Sequence, residues 1–241
     1  MKVSDYISKR IERLPKGYVF TYTELVNESV QVEATIKALN RMVKSGKIAK
    51  LAKGKFYKPE DTAFGILMPE QKQIVKDLLE NEGRITGYLT GYSIYNQLGL
   101  TTQLSNTIQI GSNQVRPDLQ RDRYTISFIR QKNTITKVHI PLLQVLDALR
   151  YIKKIPDSTI QSSIGRFLVI LKELSEHDMR SIVRLAMKYP PSTRALLGAL
   201  FDQLQHEQYT GPLYNSLNPV TKYKLTGADK ALTTITKWNI I

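Results

Sequence analysis

The sequence predicts an α+β fold that is mainly helical and has two parts. In the first 45 residues, apolar side chains recur at helical spacing, and a glycine-containing hairpin signal follows them. Between residues 107 and 130, short β-branched strings alternate like half-buried strands. From residue 140 the helical period returns. We therefore predict helices and a hairpin at the N-terminus, then a mixed domain with a small β-sheet and a helical bundle.

The composition indicates a folded, basic protein of one large or two small domains. The chain has 241 residues, of which 41% are hydrophobic and 23% charged, so it can bury a core and is not disordered. It has 35 Lys and Arg against 21 Asp and Glu, a net charge of +14. A protein this basic usually meets nucleic acid or an anionic membrane surface.

Several classes of site and location are excluded or disfavoured. The chain has no cysteine, which excludes disulfides, thiolate nucleophiles and cysteine-ligated zinc. No run approaches the ~18 apolar residues of a transmembrane helix, and the N-terminal stretch lacks the apolar region of a secretory signal. We expect a cytoplasmic protein without a membrane partner.

The N-terminal segment predicts two helices. Val3, Tyr6, Ile7, Ile11 and Leu14 have helical spacing, and the stretch from residue 15 to 17, Pro-Lys-Gly, ends that helix. Thr21 with Glu24 three positions later forms a capping-box pattern. A short second helix is therefore predicted to begin near Tyr22.

A third helix is predicted from residue 32, with a narrow apolar stripe. Its apolar residues are spaced 4, 3 and 4 apart: Val32, Ile36, Leu39 and Val43. The opposite face would then carry small residues and long donors, with one lysine at its edge: Gln31, Ala34, Lys37, Ala38, Arg41 and Lys44. Small residues allow a close approach to a partner, and long donors reach phosphates and base edges. Gly46 would end the helix.

The stretch KIAKLAKGKFYKP, residues 47–59, predicts a lysine-rich β-hairpin. Two β-prone pieces are separated by Ala52, Lys53 and Gly54. Ile48 and Leu51 would fall on opposite faces of an ideal strand, which predicts a bulge or an early turn. Lys53 and Lys55 would flank the tip.

Three short helices followed by a hairpin is the order of a winged helix-turn-helix, whose third helix enters the DNA major groove. From Lys37 to Lys58 there are eight Lys or Arg and no Asp or Glu. We predict that residues 1–62 form this DNA-binding domain. The predicted DNA-binding residues come from the third helix and the hairpin: Gln31, Ala34, Lys37, Arg41, Lys44, Lys47, Lys50, Lys53 and Lys55. Sequence preference would come from Gln31, Lys37 and Arg41, and the hairpin would add affinity.

Residues 63–241 are predicted to form the C-terminal domain, with a mixed part (63–155), a helical part (156–205) and an irregular tail (206–241). A connection over residues 61–69 leads to a helix ending at Gly83, and a buried helix follows near residues 88–98. Gly87 and Gly91 would permit close helix packing.

Strands are predicted in NTIQIGS, RYTISFIRQ and NTITKV, with a polar loop over residues 113–123 between the first two. Apolar residues in the tail, including Trp238, predict that it packs back on the domain.

The candidate catalytic and metal-binding patterns are incomplete. Glu173 with His177, and Asp202 with His206, are i,i+4 pairs without a third ligand nearby in sequence. Asp118 and Asp122 are four residues apart in a loop, a spacing that simple strand alternation does not bring to one face. We therefore predict no catalytic residue, no metal site and no cofactor.

The sequence also resembles the AbiEi-type antitoxins of type IV toxin–antitoxin systems, which are linked to abortive phage infection. The resemblance extends to about residue 205 and lies in structural strings: IKALNRMVKSGKIAKLAKGKFYKP, GYLTGYSIYNQLGL, NTIQI and YTISFI. It implies that the winged helix binds inverted repeats in double-stranded promoter DNA and represses its own operon. It also implies that the C-terminal domain counters a nucleotidyltransferase toxin, without a stable complex.

Two other functions stay open from the sequence. One is a stand-alone winged-helix regulator whose C-terminal domain binds a ligand or a protein. The other is a nucleic-acid-processing enzyme that uses Asp118 and Asp122.

Overall fold

The structure is a computed structural model that describes residues 3–26, 32–63 and 65–241. The chain divides into two compact units. The first runs to Asp77 and also includes Leu119–Thr125. The second comprises Leu78–Asp118 and Ile126–Ile241. The first unit thus extends beyond residue 62, where the sequence suggests the boundary, and takes in a later segment.

The described elements of the first unit are short helices and strands. In chain order they are α1 (Val3–Glu12), β1 (Val19–Thr21), a 3₁₀ turn (Tyr22–Glu24), α2 (Val32–Lys44), β2 (Ala49–Ala52), β3 (Lys55–Tyr57), β4 (Glu60–Thr62), β5 (Gly65–Leu67) and α3 (Gln71–Ile74). Strands β1, β3 and β2 form an antiparallel sheet in that order, and β4 pairs with β5. The β4–β5 hairpin lies where the sequence indicates only a connection.

The core of the first unit joins α1 and α2 to the three-stranded sheet. Its buried side chains are Ile7, Ile11, Phe20, Leu25, Leu39, Ile48 and Phe56. The prediction of α1 with Ile7 and Ile11 inward is confirmed. The backbone N–H of Thr21 donates to Glu24 Oε1 at 3.1 Å, so the predicted capping box forms, and it begins the 3₁₀ turn. Strand β1 is not predicted by the sequence, because three residues are too few to show a period.

The elements that follow connect to a mixed sheet. They are α4 (Lys76–Leu79), β6 (Glu80–Asn81), β7 (Arg84–Ile85), β8 (Gly87–Thr90), α5 (Tyr92–Tyr95), β9 (Thr107–Ser112), β10 (Leu119–Arg121) and β11 (Tyr124–Arg130). The sheet order is β10-β11-β9-β8, with β8 and β9 antiparallel. Strands β9 and β11 confirm the NTIQIGS and RYTISFIRQ predictions. Strand β10 lies in the stretch predicted to be a polar loop.

One predicted helix is confirmed only in part and a second is wrong, because local turns interrupt them. In place of the helix predicted up to Gly83, the chain forms α3 and α4, which are separated at Val75 with a φ of −116°, and then the β6–β7 hairpin. The buried helix predicted near residues 88–98 is strand β8 followed by the single turn α5. Gly91 separates them at φ +55°, and the N–H of Tyr92 donates to Gln109 Oε1 at 3.1 Å. Gly91 is therefore a turn residue and not a helix-packing residue.

The predicted third strand, NTITKV, is also wrong, because its backbone forms no strand. The amide side chain of Asn133 donates to the carbonyl oxygen of Leu185 at 3.0 Å. The N–H of His139 then donates to the Thr136 carbonyl at 3.1 Å in a turn before the next helix. Polar side-chain bonds thus replace the strand ladder that alternation predicts.

The remaining helices form the bundle that the sequence predicts. They are α6 (Ile140–Arg150), α7 (Ile160–Lys172), α8 (Glu176–Ala186), α9 (Pro191–Gln203) and α10 (Gly211–Asn215). The tail packs back on the bundle as predicted, with Trp238 only 1% exposed. Among the described residues, no helix combines the length and apolar character needed to cross a membrane.

A buried carboxylate lies at the centre of the second unit. Asp147 Oδ2 accepts hydrogen bonds from the hydroxyls of Tyr88 at 2.6 Å and Thr90 at 2.7 Å. Its Oδ1 accepts from the hydroxyl of Tyr189 at 2.8 Å. Burial raises the pKa of Asp147, and the three hydroxyl hydrogen bonds, which favour the charged form, only partly offset it.

We expect Asp147→Asn to change how stability depends on pH. The folded protein holds the Asp147 proton more tightly than the unfolded chain, so wild type loses stability as pH rises from the ordinary Asp value to the raised folded value. The asparagine variant lacks this loss. Its deficit in free energy of unfolding should therefore shrink as pH rises, measured by urea unfolding between pH 4 and 8. Parallel pH curves for the two proteins would contradict this role of Asp147.

Candidate nucleic-acid interface

Helix α2 packs against the core of the first unit with a different face from the one that the sequence predicts. Thr35, Ala38 and Leu39 are buried, whereas Val32 and Ile36 are 46% and 39% exposed. The predicted stripe of Val32, Ile36, Leu39 and Val43 is therefore wrong at its first two positions, as is the outward placement of Ala38. Apolar residues occur on more than one side of α2, and spacing alone does not decide which side meets α1.

The exposed face of α2 carries basic side chains. Lys37, Arg41 and Lys44 are spaced 4 and 3 apart and are all exposed. Lys37 Nζ pairs with Glu33 Oε1 at 2.7 Å, an i,i+4 pair with both side chains largely in solvent. Such a surface pair is weak. Arg41 and Lys44 have no recorded partner within the described ranges.

The β2–β3 hairpin presents two further exposed lysines. Lys50 lies in β2 and Lys53 in the turn with Gly54, whose φ is +72°. The strand register shifts between Lys50 and Ala52, which confirms the predicted bulge and lets both Ile48 and Leu51 be buried. Neither lysine has a recorded partner among the residues described. We call Lys37, Arg41, Lys44, Lys50 and Lys53 the α2–hairpin surface.

Two of the predicted DNA-binding lysines are engaged with carboxylates. Lys47 Nζ lies 2.9 Å from Glu12 Oε1, and this hydrogen bond lowers the pKa of the Glu12 carboxyl. Lys55 Nζ lies 2.9 Å from Asp77 Oδ2, and its side chain is only 19% exposed. Lys55 therefore points back to the first unit's own fold and not to the hairpin tip.

Asp77 connects the hairpin to the segment Leu119–Thr125. Arg121 donates to both Asp77 oxygens, at 2.6 and 2.9 Å, and to the Ile74 carbonyl. Burial would raise the pKa of Asp77, but the hydrogen bonds from Arg121 and Lys55 outweigh it and lower the pKa. Lys55 and Arg121 thus hold one carboxylate between them, which fixes the base of the hairpin.

Two of the predicted DNA-binding residues remain, and one further polar residue is exposed on α2. Gln31 lies outside the described residues. Ala34 is half-buried on α2. Asn40, which the sequence reasoning did not single out, is exposed between Lys37 and Arg41. Its amide can pair with the edge of an adenine, and its i+3 spacing from Lys37 is the signal that could have identified it.

The residues considered for metal or acid–base chemistry do not lie together in one site. Within the described part of the chain, no three His, Asp or Glu side chains form a group that could hold a metal. Asp118 is exposed, and Asp122 lies at φ +51° in the turn between β10 and β11. Asp202 instead accepts hydrogen bonds from Trp238 Nε1 at 2.7 Å and Lys237 Nζ at 2.6 Å.

Sequence comparison places the chain in a family. Residues 6–179 match the profile of a family of unknown function, DUF6088. The chain belongs to the DUF6088 family. No curated protein matches this DUF6088 sequence. Among solved structures, it is similar to the crystal structure of the RV2827C protein from Mycobacterium tuberculosis, with a TM-score of 0.65 and 11% sequence identity.

That match covers 100% of this chain and 91% of the M. tuberculosis chain. At this identity, the likeness of the DUF6088 protein to RV2827C is one of fold alone.

Proposed function

We propose that this protein is a transcriptional autorepressor that binds double-stranded DNA through the α2–hairpin surface of a winged helix-turn-helix. The order of α1, the 3₁₀ turn, α2 and the β2–β3 hairpin supports this module. The observation that carries the proposal is the set of five exposed cations on α2 and the hairpin, four of which have no recorded partner in the described residues. Exposed cations on a helix and on the hairpin that follows it are what a winged helix offers to a DNA backbone.

The proposal assigns different tasks to the two elements. Helix α2, about 20 Å long at 1.5 Å per residue, would lie in the major groove. Arg41 can pair with guanine, Asn40 with adenine, and the exposed Ile36 can contact a thymine methyl. Lys50 and Lys53 would contact phosphates, which position the protein without reading sequence.

Fluorescence anisotropy with a labelled duplex from upstream of the gene tests this proposal. We expect tighter binding to this duplex than to a scrambled one of equal length. Each cation that contacts a phosphate should contribute about −0.9 to the slope of log K against log salt, so five cations set an upper limit of about 4 to 5 on its magnitude. Equal affinity for both duplexes, or no binding, would contradict the proposal.

We expect Lys53→Ala to weaken binding to every duplex by the same factor. Lys53 lies at the hairpin tip, where it would contact backbone phosphate and no base edge. The loss should reduce the magnitude of the salt slope by about one. Lys9 is also exposed and lies on α1, so Lys9→Ala is the matched control and should leave the slope unchanged. A preference for particular sequences that changes in Lys53→Ala would assign that lysine to base contacts instead.

We further propose that the protein is the antitoxin of a type IV system and that it has no catalytic activity of its own. The support is the resemblance to AbiEi-type antitoxins in the strings of α2, the hairpin, β9 and β11. Co-expression with the neighbouring nucleotidyltransferase should restore growth that the toxin alone prevents, without a stable complex of the two proteins. Failure to restore growth, with DNA binding intact, would identify a stand-alone regulator.

A further inference from the structure

The second unit contains a cleft that the proposed DNA binding does not use. It has two lobes, and Tyr92 and Tyr95 of α5 line both of them. The larger lobe, about 260 Å³, is completed by the chain between α5 and β9, at residues 101 and 103–106, and by Pro156. The smaller lobe, about 170 Å³, is completed by Gln109, Ile129, Tyr151 and Lys154. Segments distant in sequence thus build one cleft.

Three tyrosine hydroxyls of this cleft have no hydrogen-bond partner among the described residues. They belong to Tyr92, Tyr95 and Tyr151. Tyr95 is only 2% exposed, but its hydroxyl is not fully enclosed, and the space that Tyr95 lines is the cleft. A hydroxyl in such a place bonds to water or to a ligand, because leaving it without a partner is costly. The cleft therefore offers hydrogen bonds that the protein itself does not use.

Tyr95 lies close to the other two tyrosines. The rings of Tyr92 and Tyr95 meet edge-on, with their centroids 5.8 Å apart. Burial raises the pKa of Tyr95, and the nearby Tyr92, Asp147 and Tyr151 raise it further. Tyr95 therefore stays a neutral phenol at physiological pH, and its hydroxyl can both donate and accept a hydrogen bond.

The chain between α5 and β9 is held in shape by its own hydrogen bonds. The side-chain amide of Asn96 donates to the Thr101 carbonyl at 3.2 Å, and the N–H of Gln103 donates to Thr101 Oγ1 at 3.1 Å. On this loop, Leu104 is 88% exposed, and the exposed amide of Asn106 has no recorded partner in the described structure. The loop thus presents apolar surface and a hydrogen-bonding amide at the larger lobe.

The charges around the cleft are balanced. On the positive side, Lys154 lines the smaller lobe, and the guanidinium of Arg150 lies over a lining ring, 5.1 Å from its centroid. On the negative side, Asp157 accepts a hydrogen bond from a side-chain amide of the larger lobe, and the buried Asp147 acts on the Tyr95 hydroxyl. Because these charges offset one another, neither an anion nor a cation is strongly attracted, and a neutral ligand is favoured.

We propose that this cleft binds a nucleobase. A base is flat, largely neutral and edged with hydrogen-bond donors and acceptors, and proteins recognise it with an aromatic ring and with polar side chains at its edges. In the larger lobe the base would lie against Tyr92 and Leu104, with its edge at the Tyr95 hydroxyl and the Asn106 amide. This lobe is roughly eight to nine times the ~30 Å³ of a water molecule and smaller than the ~300–1,000 Å³ of a typical ligand pocket. It holds the base, and the sugar extends towards solvent.

Isothermal titration calorimetry on the full chain tests this site, with the four ribonucleosides and ribose 5-phosphate as probes. We expect at least one nucleoside to bind at one per chain, and ribose 5-phosphate, which has no base, not to bind. Tyr95→Phe removes one hydroxyl and should weaken nucleoside binding about three- to tenfold. Tyr92→Leu removes an aromatic ring and should weaken it about tenfold or more.

Two controls separate this site from the α2–hairpin surface and from general effects of mutation. Tyr214→Phe removes the hydroxyl of a tyrosine that does not line the cleft, and it should bind nucleoside like wild type. Lys37→Ala/Arg41→Ala should do the same. Tyr95→Phe removes a hydroxyl without a hydrogen-bond partner among the described residues, so its melting temperature without ligand should be no lower than that of wild type.

Competition with short single strands identifies the source of the base. The experiment uses the Lys37→Ala/Arg41→Ala background, so that the α2–hairpin surface contributes little. Displacement of the nucleoside by a single strand, but not by an abasic strand of equal length, assigns the site to unpaired bases of a nucleic acid. Binding of the nucleoside that neither strand displaces assigns the site to free nucleosides and nucleotides.

Three results would overturn the proposal. They are no nucleoside binding to wild type, equal binding by wild type and both cleft variants, and displacement of the nucleoside by the abasic strand as well as by the complete one. The first would mean that the cleft holds water only, the second that nucleosides bind elsewhere, and the third that the backbone of the strand is recognised. Because none of these results depends on duplex binding, the site can fail or succeed separately from the proposed function.

Discussion

Replacing Trp238 with alanine is expected to lower the free energy of unfolding of the second unit by about 3–5 kcal/mol, the range for a large aromatic removed from a core. Trp238 is 1% exposed, and its ring packs directly over Gly198 of α9, where a Cβ atom would collide with it. Its Nε1 also donates to the buried Asp202 Oδ2 at 2.7 Å. The substitution removes the packing and the bond together.

Urea unfolding followed by far-UV circular dichroism measures this effect. Trp238→Phe is the informative companion, because it keeps most of the packing while it loses the hydrogen bond and part of the ring, and it should cost less than alanine. Tyr214→Ala removes a half-exposed ring that meets Trp238 edge-on at 5.5 Å, and it should cost less still. A loss below about 1 kcal/mol for Trp238→Ala would show that the tail does not contribute to the core of the second unit.

Parts of the fold were predictable where one periodic signal extends over enough residues. Strands β9 and β11 span six and seven residues and each begins with alternating burial, and helices α6 to α9 span eleven or thirteen residues. The capping box of Thr21 and Glu24 is a local signal and appears as expected. In contrast, the chain between residues 69 and 98 changes direction at Val75, Gly83 and Gly91. The apolar content of this segment alone predicts helices. The turn at Gly91, however, depends on Gln109 from another strand.

The positive charge of the candidate interface was predictable from the sequence. Which of its basic side chains are paired with carboxylates was not. The sequence shows a run of lysines, yet Lys47 and Lys55 are paired with Glu12 and Asp77, which are distant in sequence. The packed face of α2 is decided by α1 and the 3₁₀ turn, which exposes Ile36 and buries Ala38.

If α2 selects the DNA sequence, the double variant Lys37→Ala/Arg41→Ala should remove that selection. These side chains lie one turn apart on the exposed face of α2, and neither is part of the core. A good base contact contributes about 1–3 kcal/mol of discrimination. We expect affinity for the upstream duplex to fall by about 100-fold or more, while affinity for a scrambled duplex falls much less.

The matched control is Lys9→Ala/Arg13→Ala, which removes the same charge from exposed positions on and just after α1. Circular dichroism should show that both double variants keep the wild-type fold. In a gel shift with the upstream and scrambled duplexes, we expect only Lys37→Ala/Arg41→Ala to lose the preference for the upstream sequence. A Lys37→Ala/Arg41→Ala protein that binds the upstream duplex like wild type would contradict it.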